Sequence, residues 1–220
     1  MAEGNVSSDL QVVLQALDRG DLNAQMNKVD EQFRSVAASG QWTDKSGKVL
    51  RASPEVIAMT AGLLKDGAKM SLMSLFRYGN GPHGEKQADG SAISRAIDII
   101  EYLGHPINLK TPAAAEQCIQ GVAMVIQYLP PGRYSVGLPR PGGGDKIDPP
   151  NDVFFPVTAK EQVDVMPGGS PSKAIDMIRE PARTAIKAAM AANPEAKLVI
   201  VFPDAVDHLH IKALAPGARS

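Results

Sequence analysis

Val199-Ile200-Val201-Phe202-Pro203-Asp204-Ala205-Val206-Asp207-His208-Leu209-His210-Ile211 is the stretch on which the reading of this chain turns. An apolar, β-branched run is broken at Pro203-Asp204, and a short second run ends in His-x-His. Residues two apart in a strand point to the same face. His208 and His210 therefore aim one way, with the carboxylate of Asp207 just ahead of them. They are two of only four histidines in 220 residues, the others being His83 and His105. Two imidazoles on one face with a carboxylate immediately before them are donors suited to a metal. A strand end with two solvated histidines carries the same letters, so a second feature is needed to choose.

Working back from this tail, 172–192 has the spacing of a helix that restarts at Pro181, and 197–202 and 210–214 read as the last strands. A helix begins at Thr111-Pro112 and ends near Leu129, before Pro130-Pro131-Gly132. A strand over 134–138 follows, then a long Gly- and Pro-rich connection through Gly142-Gly143-Gly144. Ser53-Pro54-Glu55 opens a helix that runs to Gly67, with Ser53 as its cap. Residues 70–76 read as a strand that enters the loop Arg77-Tyr78-Gly79-Asn80-Gly81-Pro82-His83-Gly84. Residues 91–102 fit either a helix or a strand centred on Ala96-Ile97-Asp98-Ile99. His105, between Gly104 and Pro106, reads as part of a helix-ending turn. Two amphipathic helices fill the first fifty residues, over 9–19 and 22–38, and their apolar faces at Leu10, Leu14, Met26 and Phe33 call for a packing partner. Strands interrupted by helices at irregular intervals predict an α+β fold. Its expected form is a small, mostly antiparallel sheet with flanking helices over 51–220, preceded by a helical N-terminal extension over 1–50.

Composition narrows the function. The 23 basic and 24 acidic residues are interspersed and leave a formal charge of -1, which offers no cationic face to nucleic acid. The single Cys118 excludes an intrachain disulfide and, among small apolar neighbours, reads as core. No run of about 18 apolar residues spans a membrane, and the first residues lack the pattern of a secretory signal. The expected location is the cytoplasm as synthesised, with any export by a non-classical route. Residues 1–50 are the expected surface for a protein partner or for self-association.

The second feature is Asp98, a lone carboxylate inside Ala96-Ile97-Asp98-Ile99-Ile100. On a strand it would be buried and would need a cation or a metal; on a helix it would pair with Arg95 or a lysine. The strand at 70–77, the segment Gly90-Ser91-Ala92-Ile93-Ser94-Arg95-Ala96-Ile97-Asp98-Ile99 and the final Asp207-His208-Leu209-His210-Ile211 resemble the M15-type D-alanyl-D-alanine peptidases and murein endopeptidases. These share a zinc-site fold with lysostaphin-like enzymes and the hedgehog signalling domain. The resemblance covers 53–214 and rests on two short segments. It implies a zinc-dependent peptidase acting on bacterial cell-wall peptides, with Asp98 and His210 as metal ligands and Asp207 as general base. It also places His208 beside the metal and Arg77 on the substrate or the polarised carbonyl. The family pattern S-x-H-x-x-G-x-A-x-D departs here, because Ser91 stands where its first histidine belongs and Ser94 where its glycine does. Two readings follow. Either His83 replaces the missing ligand, or the metal is lost and the chain is a non-catalytic, peptidase-like binding protein.

Overall fold

The computed structural model describes residues 7–76, 84–111, 114–140, 153–155 and 175–215. Helix α1 (Ser8–Arg19) is capped at both ends: Ser7 accepts from the Leu10 amide, and Gly20 closes the helix in a left-handed conformation. The helix buries Leu10, Val13 and Ala16, while Leu14 is only partly covered. The single helix expected over 22–38 is in fact three pieces. Strand β1 (Leu22–Asn23) pairs with the strand at Met70, a short turn spans Met26–Lys28, and α2 (Val29–Ser39) follows. Asn27 and Lys28 cause the break by adopting φ of 51° and 59°. Phe33 of α2 is fully buried, but Met26 is 51% exposed, so it does not join the packed face expected of it. Trp42 stacks on Phe76 with ring centroids 5.9 Å apart. The first helices thus bury their apolar faces in the core that the rest of the chain builds.

Two short strands follow, β2 (Trp42–Thr43) and β3 (Val49–Ala52), then α3 (Pro54–Leu63), capped by Ser53 as expected. The chain continues through β4 (Met70–Ser74), β5 (Gly84–Lys86), β6 (Ala92–Ser94), β7 (Ala96–Tyr102) and β8 (His105–Pro106). Helix α4 (Ala115–Tyr128), β9 (Gly132–Leu138), α5 (Ala182–Ala192), β10 (Ala196–Pro203) and β11 (Leu209–Ala213) complete it. The fold is α+β. Its main sheet has seven strands in the order β1-β4-β7-β11-β9-β10, with β8 hydrogen-bonded to β7. A second sheet has the order β2-β3-β6-β5.

The main sheet is mostly antiparallel, as expected, and is mixed through two parallel pairs. Pairs β4/β7, β7/β11, β11/β9 and β7/β8 are antiparallel, whereas β1/β4 and β9/β10 are parallel. The physical reason at β9/β10 is the crossover through α5, which returns the chain to run the same way. Residues 96–102 form a strand, because Ile97 and Ile99 enter the core while Asp98 faces the opposite side. His105 does not end a helix. It follows Leu103-Gly104, whose φ of 50° and 81° turn β7 back into β8 as a tight hairpin. Cys118 is buried in α4, and burial pushes its thiol up to about 12. Among the described residues no helix is long and apolar enough to cross a membrane.

Candidate functional site

Strand register creates the site. Asp98 lies directly opposite His210 across the β7/β11 pair and opposite Ser74 across β4/β7, and His210 in turn lies opposite Gly137 of β9. Directly opposed residues share a face, so Ser74, Asp98, His210 and Gly137 form a row across four strands. Asp98 is 1% exposed, and its Oδ1 lies 3.0 Å from Nδ1 of His210. The 112 positions between them in sequence are closed by a single strand pairing.

Gly137 leaves an empty place in that row, and Asp204 fills it. A Cβ built on Gly137 would lie 2.7 Å from Oδ2 of Asp204 and 2.8 Å from Cζ of Phe202. Asp204 is fixed at both ends: its amide donates to the Leu138 carbonyl at 2.8 Å, and its Oδ1 accepts from the Ala205 amide at 2.8 Å. Oδ2 then lies 3.9 Å from Nδ1 of His210, whose ring meets the Phe202 ring edge-on.

His208 sits in the turn just before β11 rather than on the strand, and is 2% exposed. Its Nδ1 donates to Oδ1 of Asp207 at 2.9 Å, and Oδ2 of Asp207 accepts from Lys110 at 3.0 Å. Its Nε2 is 3.5 Å from Oδ1 of Asp98 and has no hydrogen-bond partner among the described residues. Burial opposes a charge on His208, but the hydrogen bond to Asp207 and the carboxylates of Asp98, Asp204 and Asp207 prevail and raise its pKa. Asp207 shifts the other way. The His208 hydrogen bond, aided by Lys110, outweighs desolvation and holds its carboxyl well below the usual range.

Of the residues singled out in the sequence, Asp98, Asp207, His208 and His210 converge here. Arg77 and His83 lie outside the described residues. Ser91 lies just before β6 of the second sheet: its hydroxyl donates to Asp89 at 2.5 Å and lies 3.5 Å from a guanidinium nitrogen of Arg51. Ser94 is likewise occupied, donating to the Leu75 carbonyl at 2.7 Å. Three contributors were missed. Asp204 shows in the sequence only as the break in the apolar run at Pro203-Asp204. Gly137 carried a usable signal, since a glycine inside a strand marks a close approach by other atoms. Lys110 carried none, being 97 positions from Asp207.

Zinc takes imidazole nitrogen and carboxylate oxygen, and catalytic zinc has three protein ligands. Two donors about 2.0–2.1 Å from a tetrahedral ion lie roughly 3.3 Å apart. The Asp98–His210 separation fits two such positions. Among the described residues no three His, Cys, Asp or Glu side chains form a group that could hold a metal ion, so a third ligand would have to come from elsewhere in the chain. A scan against protein-family models and searches of curated proteins and of solved structures gave no match.

Proposed function

We propose that this protein is a zinc-dependent peptidase of the M15 type acting on bacterial cell-wall peptides. The observation that carries the reading is the buried Asp98 set opposite His210 in strand register, with the unbonded Nε2 of the buried His208 directed at the same carboxylate oxygen. Charge supports it: the carboxylates of Asp98, Asp204 and Asp207 gather around His208.

In this reading Asp98 and His210 are two of the ligands, with the third assigned to His83. Zinc, when bound, supplies Lewis-acid polarisation of the scissile carbonyl and a lowered pKa for water. The remaining work falls to the chain. Asp98 is held by ladders on both sides of β7, which fix its backbone opposite His210. Asp207 stays ionised, accepts a proton from the attacking water and passes it to the leaving amine. The donors that keep it ionised, His208 and Lys110, also make it a weak base, and they fix its orientation. The competing reading is a peptidase-like binding protein without the metal. It is favoured by Ser91, which replaces the family's first histidine and is engaged with Asp89.

The test is hydrolysis of a panel of cell-wall peptides by zinc-loaded protein, followed by mass spectrometry. Asp207→Asn should retain its metal and lose about 10²- to 10⁴-fold in rate, the usual value of general acid/base help. Zinc-loaded wild type that cleaves nothing in the panel, or an Asp207→Asn variant as fast as wild type, would overturn the reading.

A further inference from the structure

The β4/β7 pair next to the site is irregular. Its register passes from Ser71↔Glu101 to Leu72↔Ile99 and then to Ser74↔Asp98, so Ile100 on β7 and Met73 on β4 are both skipped. Bulges of this kind re-aim side chains beside functional sites. Met73 and Ile100 are each left partly exposed and both line one cavity of about 310 Å³. That volume is at the lower end of the range of about 300–1,000 Å³ for ligand pockets.

The N-terminal segment supplies the cavity's third apolar wall. The left-handed Asn27 donates through its side-chain amide to the Met73 carbonyl at 2.8 Å, and Gln32 donates to the Asn27 carbonyl at 3.0 Å. These bonds fix the turn that holds Met26 over the cavity at 51% exposure, although burial would stabilise a methionine. At one end the cavity reaches Lys110 and Asp207, and so joins the site. Lys110 and Asp207 offset each other at 3.0 Å. Glu101, also in the lining, makes no ion pair or side-chain hydrogen bond among the described residues and leaves the groove net acidic.

We propose that this groove binds the apolar, amine-bearing part of a peptide, with its ammonium on Glu101 and its apolar side chain against Met26, Met73 and Ile100. The adjoining peptide backbone then runs toward Asp207. The place of the groove in a reaction rests on the peptidase reading; the binding itself does not. The amine is either a free peptide N-terminus or an amino side chain, and both offer the same ammonium.

The test is a methyl NMR titration of full-length protein carrying ¹³C-methyl methionine, with resonances assigned by Met→Leu variants. Three probes are used: Ala-Leu-amide with a free N-terminus, N-acetyl-Lys-Leu-amide with only an amino side chain, and N-acetyl-Ala-Leu-amide with no amine. At least one amine-bearing probe should shift the Met26 and Met73 methyls, and the one that does identifies the source of the amine. Glu101→Gln should weaken that probe about fivefold, the upper end for a partly exposed ion pair, and leave the amine-free probe unchanged. Equal binding of all three probes, unmoved Met26 and Met73 methyls, or an unchanged affinity in Glu101→Gln would overturn the proposal. If the groove binds but zinc-loaded protein cleaves nothing, the peptidase reading fails and the groove stands. If cleavage occurs and the groove does not bind, the reverse holds.

Discussion

Gly137→Ala adds one methyl group at the place in the sheet where Asp204 crosses over. Gly137 has no positive φ, so alanine costs nothing in backbone strain. The new Cβ would, however, lie 2.7 Å from Oδ2 and 2.9 Å from Cβ of Asp204, and 2.8 Å from Cζ of Phe202. Asp204 cannot move away freely, since its Oδ1 is bonded to the Ala205 amide. Overpacking of this kind costs about 1–3 kcal/mol, and loss of the Asp204–Ala205 bond adds about 1 kcal/mol. For a chain of this size each kcal/mol moves Tm by about 2–4 °C, so a drop of roughly 5–15 °C is expected by calorimetry. Asp204→Ala removes the nearest oxygen but leaves Phe202 in place. The double variant Gly137→Ala/Asp204→Ala should therefore be less destabilised than the sum of the singles by about 1 kcal/mol, the coupling expected of contacting residues. A Gly137→Ala protein melting within about 1 °C of wild type, or strictly additive singles, would refute the placement of Asp204 over the row.

Two further outcomes follow from the structure. His208 has a raised folded pKa, so its stabilising contribution is complete below about pH 6.5, its unfolded value, and is lost as pH rises through the folded pKa. Tm should fall from pH 6.5 upward in wild type and much less in Asp207→Asn, which lacks the anionic partner; matching profiles would contradict the coupling. Phe33→Ala should destabilise the protein by about 3–5 kcal/mol, because Phe33 is fully buried in the shared core, and denaturant unfolding reads this directly. An unchanged midpoint would show that the first helices are not part of the cooperative core.

The elements that could be read from sequence are those whose signals are local. Ser53-Pro54 announced α3 because a cap and a preset dihedral act within one turn. The apolar, β-branched run Val199–Phe202 and the alternation in Leu209–Ile211 announced the final strands for a similar reason. The break at 26–28 was not legible: the apolar spacing of 22–38 fits a helix, and only pairing of Leu22 with Met70, 48 positions away, makes a strand start there instead. Parallel pairing of β9 with β10 was hidden in the same way, since strand direction is set by the crossover and not by strand composition. At the site, residue types pointed to Asp98, His208 and His210, but their union depends on the register of β7 against β11. Asp204 and Lys110 join through a glycine gap and a long-range ion pair, neither of which leaves a periodic trace.

Metal titration addresses the central proposal most directly. Protein purified without an affinity tag and stripped with chelator would be titrated with Co²⁺ as a spectroscopic stand-in for zinc, alongside Asp98→Ala and His210→Ala. Expected is one ion per wild-type chain, with the strong visible bands of a tetrahedral site displaced by zinc, and loss of those bands in both variants while their far-UV circular dichroism stays unchanged. Wild-type protein that develops no bands, or variants that bind cobalt as wild type does, would contradict a metal site built on Asp98 and His210.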